Sequence, residues 1–100
     1  MHDFEIDRFR WPDGIPEKVL VKHGLFPEEV EESFFLPGAT IKRHPRRRSL
    51  RSGRHRYILL SQTERGEHIM VVFAYANRVA TIITARPLTM AELLRYGRSE

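Results

Sequence analysis

Val79-Ala80-Thr81-Ile82-Ile83-Thr84-Ala85-Arg86-Pro87-Leu88-Thr89-Met90-Ala91-Glu92-Leu93-Leu94-Arg95-Tyr96 carries a β-branched run through a proline into a helix start. Valine, isoleucine and threonine suit a pleated, half-buried surface, so the run reads as a strand. Thr89 and Glu92 have the spacing of a capping box, in which each side chain answers the other residue's orphan backbone N–H. A helix therefore begins at this point. Glu92, Arg95 and Tyr96 stand at i, i+3 and i+4 and share one face of it, while Arg86 ends the strand close by. Period-2 alternation puts Val79, Thr81, Ile83 and Ala85 on one face of the strand and Arg78, Ala80, Ile82, Thr84 and Arg86 on the other.

Working back along the chain, Ala76-Asn77 reads as a tight hairpin connection, preceded by a strand over Glu67 to Tyr75. Glu64-Arg65-Gly66 reads as a turn and Arg56 to Thr63 as the strand before it. Ala39 to Arg43 suits another strand, with Pro45–Gly53 between as a basic loop. Such short spacings require an antiparallel meander. The N-terminal third differs. Phe4-Glu5-Ile6-Asp7 suits a short first strand, and Asp13, Pro16 and Glu17 start a helix that runs to about Lys22 and stops at Gly24. Pro27 opens a second helix whose Glu28, Glu29, Glu31 and Glu32 favour its N-terminal region, with Val30 and Phe34 as the buried pair and Pro37-Gly38 as the break. The order is β-α-α-β-β-β-β-α, an α+β fold with helices on one face of a small antiparallel sheet and a partly polar open face.

The chain has 100 residues, 41% hydrophobic and 30% charged, which suits one small globular domain over 1–100. It has no cysteine, so there is no disulfide framework and no thiolate metal site. No apolar run approaches membrane-spanning length, and the start lacks a basic region followed by an apolar stretch; a cytoplasmic protein is expected. The net charge of +4 conceals an asymmetry. Residues 1–32 hold nine acidic and four basic side chains, and residues 33–100 four acidic and thirteen basic. No acidic residue lies between Glu32 and Glu64, where Lys42, Arg43, Arg46, Arg47, Arg48, Arg51, Arg54 and Arg56 accumulate. Such a segment suits a polyanion, an acidic protein partner or simply a solvated loop; phosphate contacts would carry affinity without base specificity.

Four stretches together carry a family resemblance: Phe4-Glu5-x-Asp7; Lys22-His23-Gly24 followed by Pro27-Glu28-Glu29-Val30-Glu31-Glu32; Arg56-Tyr57 leading through Thr63 and Gly66 to Val71-Val72-Phe73; and Ile82-Ile83-Thr84-Ala85-Arg86 with Thr89, Glu92, Arg95 and Tyr96. From about residue 4 to residue 96 the chain resembles the BrnT family of bacterial toxins, whose fold is similar to the RelE-like ribonucleases of type II toxin–antitoxin systems. The resemblance implies a toxin that cleaves RNA and halts translation, neutralised by a DNA-binding antitoxin, without metal or organic cofactor. Ile6 stands where the family usually has an aromatic residue, and Ser61 where a small residue is common two before the turn-side threonine.

Metal-free RNA cleavage uses the 2′-hydroxyl against the adjacent phosphate and needs a base, an acid and cations for the phosphorane charge. Arginine suits the last task because its planar fork meets two phosphate oxygens and keeps its charge. Arg86 and Arg56 are the candidate clamps, with Arg95 assisting; His23, Glu92 and Tyr96 are the candidates for proton transfer. Each has a structural alternative: His23 as a junction residue at a helix C-terminus, Glu92 as a cap, Tyr96 as a packed ring, Arg56 as a cross-strand pair. His44, His55 and His68 lack tight metal-ligand spacing. Two further classes stay open, a non-catalytic RNA- or ribosome-binding module and a toxin of this fold that acts on a protein target.

Overall fold

The computed structural model describes residues 5–44 and 55–97. Its elements are β1 (Arg8–Arg10), α1 (Ile15–His23), α2 (Pro27–Ser33), β2 (Thr40–Arg43), β3 (His55–Gln62), β4 (His68–Ala76), β5 (Val79–Pro87) and α3 (Met90–Gly97). The expected order β-α-α-β-β-β-β-α holds. One five-stranded sheet runs β1-β5-β4-β3-β2. From β2 to β5 it is the antiparallel meander, but β1 joins parallel to β5, with Arg8 opposite Val79, so the sheet is mixed.

Three expectations about the strands need correction. The first strand falls at Arg8–Arg10 and not at 4–7; Phe4 lies outside the described residues. Arg78 explains the shift. Its backbone carbonyl accepts the Asp7 N–H at 2.7 Å, and its guanidinium meets Glu5 at 2.9 Å and Asp7 at 3.1 Å. The acidic stretch thus serves as a charge clamp, and the strand register begins with Arg8 opposite Val79. The hairpin connection is Asn77-Arg78, one residue later than expected, with both residues at positive φ (53° and 63°). A two-residue loop with both φ positive matches the right-handed twist of the strands it joins. Lastly, a bulge between Val72 and Phe73 sets Phe73 opposite Ile82 and Val72 opposite Thr84, leaving Ile83 extra on β5. Beyond a bulge the alternation changes phase. Ala80, Ile82 and Ala85 therefore share the core face, whereas strict alternation separated Ala85 from the other two.

α1 and α2 cover that face. Gly14, at φ 86°, precedes α1 in place of the expected Asp13 cap. Gly24 closes it in the left-handed conformation at φ 71°, its N–H donating to the Leu20 carbonyl and the Leu25 N–H to that of Val19. The core joins Val19, Leu25, Val30 and Phe34 from the helical layer to Leu59, Ile69, Val71, Phe73, Ala80, Ile82 and Ala85 from the sheet. Phe34 lies just beyond the end of α2 and stacks edge-on against both Phe9 and Phe73, each at 5.0 Å. A fully buried side chain of that size contributes about 3 kcal/mol. Ser61 is buried as well, and its Oγ donates to the Ser33 carbonyl at 2.7 Å, tying β3 to the end of α2. Ile6 packs against the same core.

α3 departs from the one-sided arrangement. Ile41 packs with Leu59 on the core side, so alternation sends Lys42 to the opposite face, where its Nζ lies 5.1 Å from the centre of the Tyr96 ring. The C-terminal helix consequently reaches across the face that α1 and α2 leave open. No helix among the described residues is long and apolar enough to cross a membrane.

Candidate functional site

Register assigns the basic side chains to faces. On the side of the sheet away from the core, one row runs Thr40, Leu60, Met70, Arg86; the next runs Lys42, Ile58, Val72, Thr84; a third holds Arg56, Ala74 and Thr81. Arg86, Lys42 and Arg56 therefore share a face, opposite the layer of α1 and α2 that carries Glu17, Glu28, Glu29, Glu31 and Glu32. Arg43 alternates to the other side, opposite Tyr57, and does not extend this face. Arg46, Arg47, Arg48, Arg51 and Arg54, with the whole of the expected basic loop over Pro45–Gly53, lie outside the described residues.

Arg86 stands at the strand-to-helix junction. Its Nη1 donates to Glu92 Oε1 at 2.9 Å and its Nη2 to Glu92 Oε2 at 2.7 Å, a fork-to-fork pair; Nη1 also reaches the Pro87 carbonyl at 3.1 Å. The arginine side chain is 33% exposed and the glutamate 24%. Glu92 has a second engagement. Its Oε1 accepts the Thr89 N–H at 2.9 Å, and its own N–H donates to Thr89 Oγ1 at 3.1 Å, so the expected capping box is formed. The hydrogen bond from Arg86, helped by the Thr89 N–H, holds the Glu92 carboxyl down at about 2. A carboxylate so strongly held in its charged form accepts a proton poorly at neutral pH, which argues against Glu92 as the base.

His23 ends α1 just before Gly24. Its pKa is lowered from the ordinary 6.5, first by burial and then by the charges of Lys22, Arg86 and Lys18. A histidine disfavoured as a cation is neutral at pH 7 and retains an acceptor nitrogen. The Arg86 guanidinium is in turn favoured by Glu92 first, with the Tyr96 phenol contributing. His23, Arg86, Glu92 and Tyr96 thus fall within one another's electrostatic reach through Arg86. Arg95 flanks the same tyrosine, its guanidinium carbon 5.9 Å from the ring centre.

Arg56 belongs to the same face but to another place on it. Through the cross-strand partners it lies four residues along and two strands across from the Leu60–Met70–Arg86 row, roughly 13 Å along the strands and about 10 Å across them. Arg56 and Arg86 are too far apart to share one phosphate and suit two phosphates separated along one strand. Among the described residues Arg56 Nε is a buried donor with no hydrogen-bond partner. Buried donors are normally paired, so this nitrogen marks a point where an acceptor is wanted.

Sequence reasoning did not anticipate the cleft beside α3. An open groove of about 520 Å³ is lined by Thr40, Lys42, Leu60, His68, Leu93, Tyr96 and their neighbours. Its formation depends on Lys42 meeting Tyr96, a contact across more than fifty residues that no local pattern encodes. Among the described residues no three His, Asp or Glu side chains gather for a metal ion. No protein-family model matches the chain, and no match is found among curated proteins.

Proposed function

We propose that this chain is a ribonuclease toxin of the BrnT kind, cytoplasmic, cleaving RNA without a metal and held inactive by a DNA-binding antitoxin. The observation that supports this reading most is the placement of Arg86, Lys42 and Arg56 on one face of the sheet, with Tyr96 beside Lys42 and His23 within the field of Arg86. In the proposed reaction His23 accepts the proton of a 2′-hydroxyl, whose oxygen attacks the adjacent phosphorus. The O2′–P bond forms and the P–O5′ bond breaks. Arg86 stabilises the charge on the non-bridging oxygens, and Tyr96 supplies a proton to the departing 5′-oxygen. Arg56 and Lys42 hold neighbouring phosphates on the same face, and Arg95 adds positive charge beside Tyr96. The products are a 2′,3′-cyclic phosphate and a 5′-hydroxyl.

The test uses the purified chain, a structured RNA and the same RNA 2′-O-methylated throughout. The proposal requires cyclic phosphate ends from the first and none from the second. Fragments ending in 5′-phosphates would contradict it. One observation favours the second reading, a binding module without catalysis: Arg86 is already neutralised by Glu92. That reading predicts RNA binding with no new ends at all.

A further inference from the structure

The terminal-nitrogen edge of the Arg86 guanidinium is occupied. Glu92 presents two oxygens to its two terminal nitrogens at 2.9 and 2.7 Å, the arrangement a phosphate diester adopts on a guanidinium. The same glutamate also ties α3 to β5. Much of the apolar surface of α3 stays exposed, Met90 at 69% and Leu94 at 59%, and its Tyr96 ring meets Lys42 across the groove. We propose that Glu92 is a displaceable stand-in for phosphate, so that capture of a backbone phosphate by Arg86 expels the carboxylate and releases α3 from the sheet. This deepens the reading of Arg86 as a phosphate-binding group and rests on it.

The chemistry follows from shared atoms. Glu92 Oε1 serves Arg86 and the Thr89 N–H together, so the ion pair and the helix cap are one structure. An anion that takes the arginine leaves the glutamate with the cap alone. The carboxylate then stands beside a bound anion, and like charges at that distance drive the helix outward. Movement of α3 also withdraws the Tyr96 ring from Lys42, opening the groove along the path a strand of nucleic acid would follow. Anion binding and α3 docking are therefore linked equilibria, each weakening the other.

Dimethyl phosphate, a diester with no 2′-hydroxyl, is the probe, followed by amide chemical shifts and by amide exchange along α3. Glu92→Gln keeps an oxygen for the cap, since glutamine serves that position, and removes the competing charge. Glu92→Gln is expected to bind dimethyl phosphate about tenfold more tightly than the wild type. Saturating the wild type should speed amide exchange in α3 and leave β4 unchanged, and Arg86→Ala should not bind. Equal or weaker binding by Glu92→Gln overturns the proposal, as does α3 exchange that is unchanged at saturation. Because the probe cannot be cleaved, these results are independent of the nuclease reading. Tighter binding without RNA cleavage sinks only that reading, and cleavage with no tightening sinks only this proposal.

Discussion

Glu92 holds an arginine fork and a helix cap with one carboxylate, and His23 sits neutral within the field of that arginine. Arg86 bears on the protonation of both. Glu92 keeps its charge because Arg86 and Thr89 donate to it, whereas His23 loses its charge to burial and to a surrounding of Lys22, Arg86 and Lys18. The sign of the pH dependence follows. A base whose pKa is lowered becomes competent below the ordinary 6.5, so the ascending limb of the cleavage rate should lie under that value. Single-turnover rates across pH test this, with His23→Gln expected to remove the limb. A limb centred above 6.5 in the wild type would exclude His23 as the base.

At the level of elements, α3 is anchored by its cap, by its ion pair and by the contact of Tyr96 with Lys42. Thr89→Ala removes the acceptor for the Glu92 N–H and should cost the helix about 1 kcal/mol. Amide exchange should then quicken in α3 alone, and equal quickening in β3 to β5 would show that α3 is part of the core unit. Acid acts on the same element with a definite sign. The folded carboxyl lies at about 2, below its ordinary 4.5, so its contribution is complete above about 4.5 and is lost as the pH falls through about 2. The capping box was readable because its chemistry is local, and so were Gly24 as a helix stop and the meander from β2 to β5. Three features were not. The parallel pairing of β1 depends on a three-residue strand whose partner lies some seventy positions away. The phase of β5 depends on a bulge at Ile83, where valine, isoleucine and threonine fill both faces and give alternation nothing to contrast. The second role of Glu92 depends on where α3 turns after Pro87, which capping alone does not specify.

For the molecule as a whole, the strongest charges of each sign lie apart. The four glutamates of α2 lie over one face of the sheet, and Lys42, Arg56 and Arg86 lie on the other. A protein so polarised attracts anions to one side, and its affinity for them falls with salt. The basic Arg46-Arg47-Arg48 run lies outside the described residues. If an antitoxin masks the basic side with an acidic segment, reversing all three arginines to glutamate should weaken the complex and flatten its salt dependence. Titration calorimetry at two ionic strengths reads both quantities, and an unchanged affinity and slope would place the antitoxin elsewhere. The most direct measurement of all is RNA integrity on induction of the wild type and of Arg86→Ala, each without antitoxin. A ribonuclease centred on Arg86 predicts rapid fragmentation and growth arrest with the wild type and neither with a folded Arg86→Ala protein. Arrest with intact RNA, or fragmentation that survives the substitution, would contradict it.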